Sequence, residues 1–333
     1  MPATSQTTEA TPPSRSPARR LYRFAWWVMA ANLAVIVWGA FVRVTGSGAG
    51  CGSSWPSCNG DVVPRSPSVE TMIEFTHRLT SGIALILVVV LMVRVFRNLE
   101  RGHPARAGAA WTMILMLSEA GIGAGIVLFE LVADNASIAR ALFMATHLGN
   151  TFLLLGALAL TIHWLDGGPR LALRAHGRLS WLCLSGMAAA MIVGISGAVS
   201  ALGDTLYPPE SHGQVIADSL SPTANVLIQL RVLHPLLAIV GSLLLFYLAS
   251  TVRDARRRTP AAAHAKILNL LVLAQLAIGV LNITLMAPAA MQLIHLLFAD
   301  FVWIALILTV ANTLIAKEPA AAAPGLLEDE AVH

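Results

Sequence analysis

Long runs of apolar residues alternate along the chain with short segments that carry most of the polar residues. A transmembrane helix needs about 20 mostly apolar residues to cross the hydrocarbon core of a bilayer. Eight runs come close to or exceed that length. They cover approximately Phe24–Val42, Ile73–Val93, Ala109–Phe129, Ile138–Ile162, Leu179–Leu202, Ala224–Leu248, Ile267–Met286 and Ala289–Ile315. The pattern predicts an all-α integral membrane protein with eight transmembrane helices.

The composition agrees with a membrane protein. Hydrophobic residues make up 56% of the 333 residues and charged residues only 12%, which is too little polar surface for a water-soluble globule. Residues 1–22 are rich in Ser, Thr, Pro and Ala and lack the apolar core of a cleavable signal peptide, so we expect a disordered cytoplasmic tail. Arginines in this tail are compatible with an organelle presequence, but Glu9 and the short length favour a bacterial plasma membrane.

Basic residues are distributed unevenly between the polar segments. Arg and Lys concentrate before the first apolar run and between the second and third, the fourth and fifth, and the sixth and seventh runs. The alternate segments hold almost no basic residue except Arg65, and their acidic residues are Asp61, Glu70, Asp134, Asp204, Glu210 and Asp218. The positive-inside rule therefore predicts that both termini are cytoplasmic. The net charge of +4 then comes from loops that face the lipid bilayer, and we expect no nucleic-acid partner.

The two halves of the chain resemble each other. The segment MAANLAVIVWGAFVR from Met29 matches MAAAMIVGISGAVSA from Met187 without a gap. This similarity predicts two repeated four-helix bundles, although apolar helices rich in Ala, Gly and Val also align by chance. The expected divisions are a tail (1–22), a first half (23–165), a cytoplasmic linker (166–178), a second half (179–316) and a cytoplasmic tail (317–333).

Four histidines share one predicted depth in the membrane. His77, His147, His234 and His295 lie on the four even-numbered runs, each within about 9–15 Å of the outer end at 1.5 Å per residue. One such histidine alone is more often a polar side chain bonded to a neighbouring helix. Two imidazoles from facing helices can also hold a porphyrin by coordinating its iron from both sides. We expect the pairs His77 with His147 and His234 with His295.

Other metals are less favoured by this layer. Carboxylates and thiolates are too few there for a zinc or copper cage. The only cysteine in the runs is Cys183, which we interpret as a small core residue.

The residue three positions before the first histidine differs between the halves. Glu74 precedes His77, whereas Arg231 precedes His234, and such a spacing puts both residues on one helical face. We interpret the first half as a reacting site and the second as a structural or electron-relay haem site. The alternative for Glu74 is a solvated carboxylate near a helix N-terminus, where the helix dipole favours negative charge.

Further charged residues lie near or inside the predicted membrane region. Arg43, Arg78 and Arg231 are close to the outer interface, where they could pair with haem propionates or extend toward lipid head groups. Glu119 and Asp300 lie within apolar runs, and a central charge costs about 2.5–3.5 kcal/mol. Their expected use is a proton route or an interhelix hydrogen bond.

The loop after the first run holds two cysteines. Cys51 and Cys58 lie in a Gly- and Ser-rich segment on the predicted outer side, where thiol pairs usually form disulfides. Closing so short a loop stabilises it by about 2.5 kcal/mol in the chain-entropy estimate. Two roles remain open, which are bracing a lid over the membrane and exchange with a thiol–disulfide partner.

Two segments carry a family resemblance. GAFVRVTGSGAGCGSSWPSCNG and IEFTHRLTSG, together with eight runs and four histidines, resemble the haem A synthase family from about Leu21 to Ile315. The resemblance implies a membrane oxidoreductase that oxidises the methyl group at ring position 8 of haem O to a formyl group by successive hydroxylations. The product, haem A, is a cofactor of cytochrome oxidase.

The resemblance also implies roles for individual residues. His77 and His147 would hold the substrate haem O, His234 and His295 would ligate haem b, and Glu74 would be the carboxylate required for oxidation. The outer-loop pair is Cys51 and Cys58.

One feature departs from the family pattern, because many members carry a second cysteine pair after the fifth helix and this chain has none there. A single-pair subtype is therefore implied. Expected partners are a haem O synthase, the oxidase assembly factors and an unknown electron acceptor.

Two other classes of protein fit the same pattern. A two-haem membrane cytochrome that relays electrons to or from quinone would bind both porphyrins and modify neither. A transporter is suggested by duplicated halves and intramembrane acids, and it would bind no porphyrin.

Overall fold

The computed structural model describes residues 17–208, 211–221 and 223–315, which form ten α-helices and short 3-10 turns without a β-strand. The helices are α1 (Pro17–Val44), α2 (Val69–Asn98), α3 (Pro104–Leu128), α4 (Ile138–Leu165), α5 (Arg178–Leu206), α6 (His212–Leu220), α7 (Val226–Gln229), α8 (Leu233–Ala255), α9 (Pro260–Thr284) and α10 (Ala289–Thr313).

The prediction of eight transmembrane helices is confirmed. Eight helical segments are long and apolar enough to cross a membrane, the sixth of them formed by α7 and α8 together. Most extend beyond the apolar run at one or both ends because polar capping residues lie outside it. At the start of α2, for example, the Ser68 hydroxyl accepts a hydrogen bond from the Thr71 amide, which satisfies a free donor of the first turn.

The expected tails lie partly outside the described residues. Residues 1–16 and 316–333 are not described, so the predicted terminal tails are tested only at their inner edges. The first helix begins at Pro17, inside the segment 1–22 that we expected to be a tail.

The sixth span is interrupted, whereas the sequence pattern predicts one continuous helix over Ala224–Leu248. A 3-10 turn at Leu230–Val232 separates α7 from α8. Pro235, directly after His234, has no amide hydrogen to donate to the carbonyl of Arg231, so the regular α-helical pattern fails at this point. The interruption lies next to one of the four membrane histidines.

Helices α4 and α10 occupy the centre of the helix assembly and are the most buried spans. They pack against each other, and α3 and α9 pack along them. The Trp303 ring stacks on Phe152 with a centroid distance of 5.1 Å, and its indole nitrogen donates a hydrogen bond to the Phe152 carbonyl at 2.5 Å. These contacts join the helices that carry His147 and His295. The division into two repeated bundles remains a prediction.

The loop between α1 and α2 packs closely on the start of α2. Its disulfide between Cys51 and Cys58 is present, and both cysteines are buried. The Thr71 hydroxyl donates a hydrogen bond to the Gly50 carbonyl at 2.7 Å. A Cβ atom at Gly50 would lie 2.5 Å from the backbone of Glu70, so only glycine permits this approach. The loop is thereby fixed over one end of the helix assembly.

The orientation in the membrane can be tested with single cysteines. We expect Val63→Cys, in the exposed α1–α2 loop, to react with a membrane-impermeant maleimide in intact cells. Arg101→Cys, between α2 and α3, should react only after the cells are opened, because the positive-inside rule places it in the cytoplasm. Native Cys183 is fully buried and serves as the unlabelled control. Labelling of Arg101→Cys in intact cells would contradict the orientation.

Candidate functional site

One large cavity contains all four membrane histidines. Its volume is about 1490 Å3, and its walls include His77, His147, His234 and His295. Typical small-molecule pockets are about 300–1,000 Å3, so this cavity is large enough for more than one such ligand or for a very large one. The four histidines that the sequence pattern selected are therefore brought to a common space.

The second histidine pair has a spacing that suits a metal between the rings. The ring centroids of His234 and His295 are 6.3 Å apart, and the ring planes are nearly perpendicular at 86°. A nitrogen–metal bond of about 2 Å on each side, plus the distance from each nitrogen to its ring centre, requires a centroid separation of about 6 Å. The pair therefore fits an iron atom held from both sides.

The tautomer of His234 also suits metal binding. Its Nδ1 lies 3.1 Å from the Ser196 hydroxyl, which itself donates a hydrogen bond to the Val193 carbonyl at 2.8 Å. Since a hydroxyl has a single hydrogen, the Ser196 oxygen is left to accept the Nδ1 hydrogen of His234. Nε2 then carries a free lone pair, which is the form that binds a metal.

The first pair, His77 and His147, lines the same cavity. Nδ1 of both rings is buried without a hydrogen-bond partner of good geometry among the described residues. Buried polar atoms are rarely left without a partner. A carboxylate oxygen of Glu119 lies 3.4 Å from Nδ1 of His147 and is an acceptor within reach of that ring.

Each of the four histidines packs near a glycine of the preceding spanning helix. A Cβ atom built on the glycine would lie 2.9–3.9 Å from Cε1 of the imidazole ring. The glycine–histidine pairs are Gly39 with His77, Gly123 with His147, Gly197 with His234, and Gly279 with His295. The alignment of the two halves already places Gly39 on Gly197. The sequence therefore showed that both positions are glycine, but only the structure shows that each glycine packs against a histidine ring.

Glu74 is buried and attached to the disulfide loop. One carboxylate oxygen, Oε1, accepts hydrogen bonds from the Arg78 guanidinium, at 2.5 Å from Nη2 and 3.2 Å from Nε. The other oxygen, Oε2, accepts from the Cys51 amide at 2.8 Å. Arg78 also donates to the carbonyls of Ser54 and Ser57, both at 2.6 Å. Glu74 is therefore a held, buried carboxylate rather than a solvated one.

Arg231 in the second half also has a partner of opposite charge. Its Nε lies 2.7 Å from a carboxylate oxygen of Asp204, and its Nη2 donates to the carbonyls of Gly203 and Tyr207. The sequence pattern puts Asp204 in a loop, but it belongs to the last turn of α5. The charges of Glu74 and Arg231 are therefore each neutralised by a neighbouring side chain of opposite charge. Arg78 neutralises Glu74, and Asp204 neutralises Arg231.

Arg43 joins the two halves of the chain. Its guanidinium donates to the Ala201 carbonyl at 2.6 Å and the Thr205 hydroxyl at 2.5 Å, both on α5, and to the Gln292 side chain at 3.0 Å on α10. Arg43, Arg78 and Arg231 all line the cavity. Their present contacts are within the protein, and a role toward propionates stays a prediction.

Two cavity residues were not selected by sequence. Arg140, at the start of α4, is buried and donates to the carbonyls of Ala133 and Asn135. Gln292 lies three positions before His295, the spacing that drew attention to Glu74. The spacing from His295 could have identified Gln292 as a site residue. No comparable sequence feature marks Arg140, which has the pattern of a charged residue at a helix end.

The two intramembrane acids differ in their surroundings. Glu119 lines the cavity, and its Oε1 lies 3.4 Å from Nδ1 of His147. Asp300 is fully buried, and neither of its carboxylate oxygens has a hydrogen-bond partner. The expected interhelix hydrogen bond is therefore present for Glu119, which accepts from Asn150 and Thr151 on α4. It is absent for Asp300.

These features define a class. The protein is a multi-pass membrane protein whose helices enclose a histidine-lined cavity, with a buried carboxylate beside one pair of imidazoles. Residues 22–307 match the family model described as cytochrome oxidase assembly protein. The chain belongs to that family.

Individual relatives carry two different names. A protoheme IX farnesyltransferase from Thermus thermophilus is 44% identical over 295 residues, which is 89% of this chain and 48% of that protein. A heme A synthase from Shouchella clausii is 29% identical over 281 residues, or 81% of this chain and 89% of that protein. Another heme A synthase, from Alkalihalophilus pseudofirmus, is 39% identical over 97 residues, or 29% of this chain and 33% of that protein. The chain thus spans about half the length of the Thermus relative.

The loop attachment can be measured through Arg78. Arg78→Lys keeps the charge but loses the planar fork that bonds Glu74 and two loop carbonyls. Hydrogen bonds to charged groups contribute about 1.5–3 kcal/mol each, so amide exchange over residues 51–58 should accelerate about tenfold or more. Hydrogen–deuterium exchange with mass spectrometry measures this rate. Arg65→Lys, at an exposed position of the same loop, is the control, and equal exchange in both variants would contradict the proposed attachment.

Proposed function

We propose that this chain is a haem A synthase, which oxidises the methyl group at ring position 8 of haem O to the formyl group of haem A for cytochrome oxidase. The observation that carries the proposal is the buried Glu74 carboxylate three residues before His77 on the same helix, where the second half has Arg231 before His234. The name of the Shouchella relative, which covers most of both chains, supports it.

The histidine pairs are proposed to divide between two porphyrins. His77 and His147 would hold haem O as substrate in the first half (23–165). His234 and His295 would ligate haem b in the second half (179–316). The 6.3 Å centroid spacing of the second pair and the size of the common cavity support this division. When bound, haem b supplies an iron centre that accepts and donates single electrons.

The overall change is a four-electron oxidation. The methyl group and one water become a formyl group, with release of four protons and four electrons. The successive hydroxylations each take oxygen from water, and the last intermediate loses water. The electrons pass to an external electron acceptor.

Glu74 is positioned to act on developing positive charge. Its two oxygens already accept hydrogen bonds from Arg78 and Cys51, which fixes the carboxylate without using all its lone pairs. In a site of low dielectric constant, a fixed negative group can stabilise positive charge at the reacting carbon or accept its proton. We assign this role to Glu74.

The name of the Thermus relative suggests a neighbouring reaction. Farnesyl transfer to protohaem makes haem O, so a farnesyl-adding haem O synthase is the proposed supplier of substrate, and the oxidase assembly factors are the proposed recipients. A bacterial plasma membrane with cytoplasmic termini is the proposed location.

The proposal is tested by pigment analysis. Cells that make haem O and express the chain should accumulate haem A, identified by mass and absorbance after extraction. Glu74→Gln keeps the size but removes the charge, and we expect haem A to fall by about 100-fold or more, as for other electrostatic contributions to catalysis. Glu70→Gln, an exposed acid one turn earlier, is the matched control and should retain normal yield.

Three outcomes would contradict the proposal. Full haem A yield in Glu74→Gln would remove the carboxylate from the mechanism. Bound but unmodified porphyrins in the native chain would favour the electron-relay cytochrome instead. Farnesylated haem made by this chain from protohaem and farnesyl diphosphate would assign it the activity in the Thermus relative's name.

The glycine contacts allow the two sites to be perturbed separately. Gly39→Ala would place a Cβ 2.9 Å from His77, and Gly197→Ala would place one 3.0 Å from His234. Overpacking costs about 1–3 kcal/mol, so haem affinity at the affected site should fall roughly tenfold. Absorbance of the purified protein measures bound haem. Gly121→Ala, with no atom near the added Cβ, should bind normally, and equal binding by all three variants would refute the contact.

A further inference from the structure

We propose that Glu119 is a positioning residue for His147, and that it makes the first histidine pair a stronger electron donor to bound iron than the second pair. This inference rests on the proposed haem ligation. It concerns a contact behind the imidazole, on the side away from the metal, which the proposed reaction does not use.

Glu119 lies within reach of the ring nitrogen that does not bind metal. Its Oε1 is 3.4 Å from Nδ1 of His147, slightly longer than a hydrogen bond and without good alignment. A small rotation of the imidazole closes that gap. Nδ1 would then donate to the carboxylate, and Nε2 would be the nitrogen available for iron.

A polar network holds the Glu119 carboxylate in this place. Asn150 donates to Oε2 and Thr151 donates to Oε1, both at 2.5 Å. The Asn150 amide is itself oriented, because its oxygen accepts from Ser118 at 2.6 Å and its nitrogen also donates to the Leu115 carbonyl at 2.9 Å. The carboxylate is thus fixed between α3 and α4 before any ligand binds.

The second half has no carboxylate in the matching position. When the two halves are aligned, Gln275 stands where the first half has Glu119, and its side-chain nitrogen lies 3.3 Å from Nε2 of His295, whereas Nδ1 of His295 has no hydrogen-bond partner among the described residues. The positions that match Ser118, Asn150 and Thr151 are Ala274, Phe298 and Ala299. The polar network and the contact with Nδ1 therefore belong to the first half only.

The difference in charge has a predictable electronic effect. A carboxylate that accepts the ring N–H of a metal-bound histidine raises the basicity of that ligand. A more basic axial ligand favours the oxidised iron and lowers its reduction potential. No such carboxylate contacts Nδ1 of His295 in the part of the chain that the structure describes. The first site should therefore have the lower reduction potential of the two.

The test changes the contact behind His147 in the full-length, haem-loaded protein. Midpoint potentials come from optical redox titration, and electron paramagnetic resonance of the oxidised protein reports the axial ligand field. Glu119→Gln should raise the potential at the first site and leave the second unchanged. Asn150→Ala, which removes a donor that holds the carboxylate, should raise the first potential by a smaller amount. Glu70→Gln, which removes an exposed charge at the start of α2, should change neither.

The outcomes separate this inference from the proposed function. Unchanged potentials and resonance in both Glu119→Gln and Asn150→Ala would overturn the role of Glu119 while leaving the ligands intact. If Glu119→Gln loses haem from the first site, Asn150→Ala decides the matter, and an unchanged first potential overturns the inference. Retention of both haems in His147→Ala would instead refute the ligand assignment on which the proposed function depends.

Discussion

The structure depends on partners that compensate the charges of side chains inside the bilayer. Each intramembrane charge that lines the cavity has a specific partner, as Glu74 has in Arg78 and Arg231 in Asp204. An uncompensated charge near the membrane centre is expensive, so these pairs fix where helices and loops can lie. The attachment of Glu74 to the Cys51 amide extends the same constraint to the outer loop. The surrounding protein thus holds these charged side chains of the cavity wall, whereas Nδ1 of His77, His147 and His295 has no hydrogen-bond partner among the described residues.

The four imidazoles are the groups of the cavity wall that remain available to bind a ligand. Two helices at the centre of the assembly, α4 and α10, each bring one histidine to the cavity, which the histidines of α2 and α8 also line. Close packing on glycine positions the rings. The surroundings of the rings differ, because a carboxylate oxygen of Glu119 lies beside Nδ1 of His147, whereas Nδ1 of His295 has no partner within the described ranges. The two proposed haem sites would in this way lie under different electrostatic conditions.

Sequence was sufficient for the spans and for the four histidines, because apolar length and intramembrane polarity are local properties. It was insufficient where the outcome depends on contacts between distant segments. Asp204 looked like a loop acid, yet it neutralises Arg231 across a helix boundary. Arg43 looked like an interfacial residue, yet it bonds to α5 and α10. Pro235 carried a readable signal for the broken sixth span that the apolar pattern concealed.

The central claim is that paired imidazoles coordinate haem iron in this cavity. Near-infrared magnetic circular dichroism of the purified, oxidised protein tests this claim most directly. This measurement identifies the axial ligands of haem iron. We predict bis-histidine signals from two sites, with His147→Ala and His234→Ala each removing a different one. A single signal lost in both variants, or signals that survive in both, would contradict the account.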